Sequence, residues 1–244
     1  MAGYLRALSA EVLKYRRTTA VWLAFGIPVL IIVLAGIVLT QSDVAEASVE
    51  RKWNALQGIT AQTWVTMCLP IGGAILIGML WGIEHGSNQL KHILAQPPSR
   101  AAQFWAKTTG IFALIALGTA FLGVLCAGLA TVLGMGPVRW EVAFELPFRA
   151  LAGAVPTLGL ISWLAQRYSS FALPVILGVV GVVVGGIAGS SPDHWLYVPW
   201  SWSMIASIAG DGDDRQLALL LGLGVGALVL LGSMVDFVRS DSPR

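Results

Sequence analysis

This sequence is short of charge. Charged residues make up only 11% of its 244 residues, while hydrophobic residues make up 56%. Ordinary soluble domains carry roughly 25% charge. With mean hydropathy at +0.76, there is too little polar surface to cover an exterior facing water, so lipid is the solvent that fits. Cysteine is scarce as well. Cys68 and Cys126 both fall inside apolar runs, which excludes a disulfide framework or a thiolate metal site and leaves packing as their expected role. The chain has no His-Glu-x-x-His zinc signature, no Gly-x-Ser-x-Gly elbow and no phosphate-gripping loop ending in Lys-Ser/Thr. An enzyme is therefore not expected, and neither is a nucleotide, cofactor or metal bound by this chain. Glu84, His85 and His92 are the best-placed metal-ligand types, and they read instead as solvated polar residues at a membrane edge. A cleavable signal peptide is not expected either, because Arg6, Lys14, Arg16 and Arg17 precede an apolar run too long for one.

What is present is apolar length. Six runs, at 20–40, 63–83, 108–133, 148–165, 171–188 and 216–238, match the roughly 20 helical residues that cross a hydrocarbon core about 30 Å thick. The expected fold is all-α, one polytopic domain over 1–244 with six transmembrane helices. The centres of these runs hold no Asp, Glu, Lys, Arg or His. That excludes an evident proton relay or ion-coupling site, so the energy for any transport must come from another chain. Gly78 and Gly82, with Gly86, and Gly181 and Gly185, with Gly189, recur every four residues. Such small-residue stripes let helices approach closely and are expected to be helix-packing faces. The loop 189–215, with Trp195, Tyr197, Trp200 and Trp202, reads as a short interfacial or re-entrant segment.

Residues 1–19 read as an interfacial helix. Leu5, Leu8, Val12 and Tyr15 share one helical face, expected to point at acyl chains. Six spans put both termini on one side of the membrane. That side holds ten Lys and Arg residues and the other five, which places both termini in the cytoplasm by the positive-inside rule. The same side receives the polar island 84–107. Within it, Asn88–Leu94 reads as a short amphipathic helix ended by Pro97 and Pro98. Ser99 reads as the N-cap of the helix that enters the third span. The expected product is a cytoplasmic docking surface.

Two stretches carry a family resemblance. LSAEVLKYRRTTAVWLAFGIPVL has a Glu and a Lys in an interfacial helix, a basic pair and then a span. GIEHGSNQLKHILAQPPSRAAQFWAK has a Glu leaving a span, a Gly two positions on, a short helix, a Pro-Ser-Arg turn and a Lys entering the next span. With six spans and an aromatic loop before the sixth, the chain resembles permease subunits of type-2 ABC exporters, and within them the six-span lantibiotic-immunity and bacitracin-export kind. The resemblance implies a multi-pass cell-membrane protein that pairs with a second permease copy or a similar permease, is bathed in membrane lipid and touches no nucleic acid. It also implies a cytoplasmic ABC ATPase partner that holds the ATP and magnesium. By position, Glu84 to Arg100 would be the coupling segment, with Gln89, Lys91, His92 and Arg100 facing the ATPase. Cargo (a peptide antibiotic, a drug or a lipid) would move outward between spans two and five of the two halves. A scaffold or sensor that recruits a cytoplasmic partner without transporting is the alternative.

Overall fold

Backbone N–H and C=O groups in hydrocarbon must be satisfied within the segment that carries them, and this chain does so with helices. The computed structural model describes residues 2–15, 18–41, 44–86 and 99–239. Among these residues there is no strand, and six helices are long and apolar enough to cross a membrane. They are span one (Thr19–Gln41), span two (Val49–His85), span three (Arg100–Val132), span four (Glu141–Arg167), span five (Ala172–Gly189) and span six (Gly212–Arg239). The N-terminal helix, Ala2–Tyr15, lies against span three. The end of the bundle that holds this helix is called the base below.

Spans one to four share the largest apolar cluster, in which Ile77, Leu80, Trp81, Ile111 and Leu158 are fully buried. Spans one and three meet backbone to backbone, since a Cβ on Gly118 would stand 2.7 Å from the Ala24 carbonyl oxygen. Two hydroxyls inside the spans bond back to their own helix, Thr119 to the Ile115 carbonyl at 2.9 Å and Thr60 to that of Leu56 at 2.7 Å. They therefore enter the bilayer with their donors satisfied.

Spans two and three are the longest, well beyond what a bilayer needs. Span two has 37 residues, about 55 Å at 1.5 Å per residue. It runs past the far end, where a mixed-charge loop over 41–62 is the sequence expectation. Ser48 caps the extension by accepting a hydrogen bond from the Arg51 amide at 3.4 Å. Trp53 and Leu56 bury into a far-end cluster with Met135 and Val142, so the stretch is an amphipathic extension of the span. Span three stops in a Schellman motif. Gly134 is left-handed at φ 61°, Met135 N–H reaches the Ala130 carbonyl at 2.9 Å and Gly134 N–H that of Thr131 at 3.1 Å. The freed Met135 carbonyl accepts from the Trp53 indole at 3.0 Å.

The 189–215 stretch folds as short helical turns, Trp195–Tyr197, Pro199–Ser201, Trp202–Met204 and Ile205–Ala209. Trp195, Trp202 and Ile205 bury against span six. Glycines on spans four and five receive this segment. A Cβ on Gly153 would stand 2.6 Å from the Trp202 carbonyl oxygen, and one on Gly185 2.8 Å from that of Trp200.

The N-terminal helix turns part of the expected face outward, but not its last member. Tyr15, grouped with Leu5, Leu8 and Val12 toward lipid, is buried, with its ring against Gly110 of span three. Leu5 is 61% exposed and Val12 49%. The reason is Glu11, buried one turn before Tyr15. Its carboxylate meets Lys107 of span three, and that draws the end of the helix carrying Tyr15 onto the bundle.

Candidate functional site

At the base, three elements far apart in sequence bring two acids and two bases into a closed ring of alternating charge. Lys107 Nζ lies 2.7 Å from Glu84 Oε1 and 3.4 Å from Glu11 Oε2. Lys14 Nζ lies 2.5 Å from Glu11 Oε1 and 3.2 Å from Glu84 Oε1. Glu11 and Lys14 sit one turn apart on the N-terminal helix, so both reach the same side. Glu84 is in the last turn of span two, and Lys107 is in span three. Glu11 is 7%, Glu84 5% and Lys107 3% exposed, and Lys14 closes the ring at its wetter edge.

The surroundings suit a buried neutral group of ions. The Lys107 ammonium stands 5.0 Å from the centre of the Trp81 ring, a cation–π contact. The indole N–H of Trp81 donates to Ser162 Oγ of span four at 3.0 Å. Tyr15 Oη donates to the Lys107 carbonyl at 3.4 Å. Burial pushes the Glu11 carboxyl up, but Lys107 and Lys14 outweigh it and hold the group below its ordinary 4.5. Burial pulls the Lys14 ammonium down, and its bonds to Glu11 and Glu84 outweigh that and hold it above 10.5. Burial, helped by both carboxylates, raises the Tyr15 phenol, so it stays a donor. The arrangement holds charge rather than moving protons. It is a clamp, and it grips the chain three residues before position 87 and nine after position 98.

Not every residue singled out from the sequence joins this clamp. Glu84, expected in a segment facing a partner, turns inward to Lys107 and Lys14 because a buried carboxylate needs its counterions. Arg100 donates from Nη1 to the Val238 carbonyl of span six at 3.1 Å. Gln89, Lys91 and His92 lie outside the described residues. Ser99 caps span three, accepting from the Ala102 amide at 3.3 Å. His85 Nε2 sits 2.9 Å from the Ala165 carbonyl. Among the described residues no three His, Cys, Asp or Glu side chains converge as metal ligands. Cys68 and Cys126 are free thiols.

The glycine stripes divide. A Cβ on Gly78 would meet Phe171 and Pro174 at 3.2–3.4 Å, at the start of span five. Gly82, expected on the same packing face, is exposed and has nothing within 4 Å of its Cβ position. It lines an open cavity of about 330 Å³ with Met79, His85, Tyr168 and Phe171. Gly181 and Gly185 lie under Trp200 and its backbone rather than under another span. Trp200 needs a surface without side chains to lie flush.

Sequence reasoning gave Glu11, Lys14 and Lys107 no role as ring members. The one available signal was that Glu11 is the only acid in residues 1–19 and shares a helical side with Lys14 and Tyr15. Trp81 gave no signal, since a Trp near a span end ordinarily reads as interfacial.

A six-helix bundle whose deeply buried ions, among the described residues, gather at one end defines a polytopic membrane protein with a structured base. The sequence model described as ABC-2 family transporter protein matches residues 7–185. The chain belongs to that family and is the permease component of an ABC transporter. The matched stretch contains all four members of the charge ring. No curated protein and no solved structure matches the chain.

Proposed function

We propose that this chain is the membrane half of an exporter driven by a separate cytoplasmic ATPase, which binds ATP and magnesium, and that it works paired with a second permease. Both termini and the 84–107 segment lie in the cytoplasm, as the excess of Lys and Arg on that side favours. Gln89, Lys91 and His92 meet the ATPase through charge-assisted contacts, and closure of the ATPase pulls on the segment they belong to. Cargo leaves outward between spans two and five of the paired permeases. A peptide antibiotic, a drug or a lipid would suit an apolar path, as in the lantibiotic-immunity and bacitracin-export permeases that the sequence resembles.

The observation that carries this reading is the ring of Glu11, Lys14, Glu84 and Lys107. A force applied between Glu84 and Lys107 reaches spans two and three and the N-terminal helix together, because a buried ion cannot leave its partners cheaply. The test is affinity purification of the chain from its native membrane in mild detergent. An ATPase recovered at one copy per permease, and lost with Lys91→Glu, supports the reading. A chain that purifies without an ATPase contradicts it and favours a scaffold or sensor.

A further inference from the structure

The base has a second polar cluster, between spans four and six. Span four presents Trp163, Gln166 and Arg167, one helical turn, to span six. Arg167 Nη1 reaches both carboxylate oxygens of Asp236, at 2.8 and 3.0 Å, and the Trp163 indole donates to Asp236 Oδ2 at 3.0 Å. Gln166, itself buried, donates from Nε2 to the Ser233 carbonyl at 3.1 Å. The last turn of span six is thus fixed to span four by side chains that a purely apolar crossing would not need.

That same turn also touches both ends of the 84–107 segment. Phe237 packs 6.0 Å, centre to centre, from Trp81 of span two and 5.8 Å from Phe104 of span three. Trp81 is the ring that carries the Lys107 ammonium. Arg100, the first residue of span three, donates to the Val238 carbonyl, one of the four that a helix C-terminus leaves without an internal partner. A guanidinium also suits the negative end of the helix dipole.

We infer that the last turn of span six, through the positioning residues Asp236 and Phe237, is a second brace that carries movement of the 84–107 segment into spans four and six. The charge ring carries that movement to the N-terminal helix and spans two and three. Phe237 takes it from Trp81 and Phe104, and Asp236 hands it to Arg167 and Trp163. The far end of span six seats the tryptophan-rich turns through Ala218, so a movement at the base reaches them along one continuous helix.

The inference rests on the proposed function, and its test separates the two. The permease–ATPase complex is reconstituted in lipid nanodiscs, and amide hydrogen exchange is followed with and without Mg–ATP in the N-terminal helix and in Gly212–Leu221 at the far end of span six. In the wild type both regions respond to nucleotide. In Phe237→Ala and in Asp236→Asn, the response at Gly212–Leu221 falls about fivefold or more, while the N-terminal helix still responds. Phe237→Tyr, which keeps the ring, restores it. Because the N-terminal helix reports from the same sample, a variant that has merely lost its fold is recognised, and the second variant then decides. An unchanged response at span six in either folded variant overturns the brace, as does a wild-type span six that ignores nucleotide while the N-terminal helix responds. A wild-type preparation that holds no ATPase strikes the proposed function itself, and the brace with it.

Discussion

The two ends of the bundle are closed by different chemistry. At the base, residues 11, 14, 84 and 107 are joined by ions within 3.4 Å of one another. At the far end the buried bonds among the described residues are mostly neutral and local, and the ion pair there, Arg149 with Glu145 at 2.7 Å, is a solvent-facing pair within one helix. The Trp202 indole and the Ser201 hydroxyl both donate to the Trp195 carbonyl, at 3.2 and 2.8 Å, and Trp53 donates to the Met135 carbonyl. Ions make a junction that is costly to open halfway, because each opened pair leaves a buried charge alone. Neutral bonds between indoles and carbonyls can be traded for water one at a time, at about 1 kcal/mol each. The base therefore behaves as one unit, and the far end as a set of separable contacts.

The sharpest way to break this comparison is Lys107→Met. It leaves Glu11 and Glu84 facing each other with only Lys14 between them, and should cost about 3–5 kcal/mol. Trp202→Phe at the far end should cost only about 1 kcal/mol. Thermal unfolding of the two variants in the same detergent ranks them, and equal losses would erase the distinction. Next in size, Gly181→Leu forces Trp200 off span five. Overpacking of this kind costs about 1–3 kcal/mol, and a red-shifted tryptophan emission with greater quenching should report it while the base stays intact.

A smaller loss, of about 1 kcal/mol, is expected from Ser99→Ala, which removes the N-cap of span three. Hydrogen exchange should quicken in residues 100–103 and not at Val132. The last effect is one of pH. The folded Glu11 carboxyl lies below 4.5, so its contribution to docking the N-terminal helix is present above that value and is lost as pH falls through the lowered one. Lys14 lies above 10.5, so its contribution is present below 10.5 and is lost as pH rises through the raised value. Exchange protection of Ala2–Tyr15 should thus be flat near neutrality and fall at acid pH, and Glu11→Gln should weaken the acid-side dependence.

The same contrast explains what the sequence disclosed. Six spans were legible because hydrocarbon imposes a length and an absence of charge on each, and both can be read from a string of residues. The cap at Ser99 was legible because capping is local. The charge ring was not, because Glu11 and Lys107 are 96 residues apart and a single carboxylate on a helix looks the same whether it meets water or lysine. The burial of Tyr15 at the end of the N-terminal helix was missed for that reason. Tyr15 counted as apolar, and nothing in its own helix revealed that Gly110 leaves room for its ring. Glycine spacing showed that something packs closely on span five without showing what. Trp200 and a helix would both select Gly181 and Gly185.

The central claim is that Glu84 and Lys107 act as one junction that passes force from the 84–107 segment into the bundle. A double-mutant cycle on the reconstituted permease–ATPase complex tests it, with Glu84→Gln, Lys107→Met and the two combined, read as the rate of ATP hydrolysis. The account predicts that each single change lowers the rate and that the double variant falls well short of the sum of the two losses, with an interaction energy of about 0.5–3 kcal/mol. Losses that simply add, or singles that leave hydrolysis untouched, would contradict it.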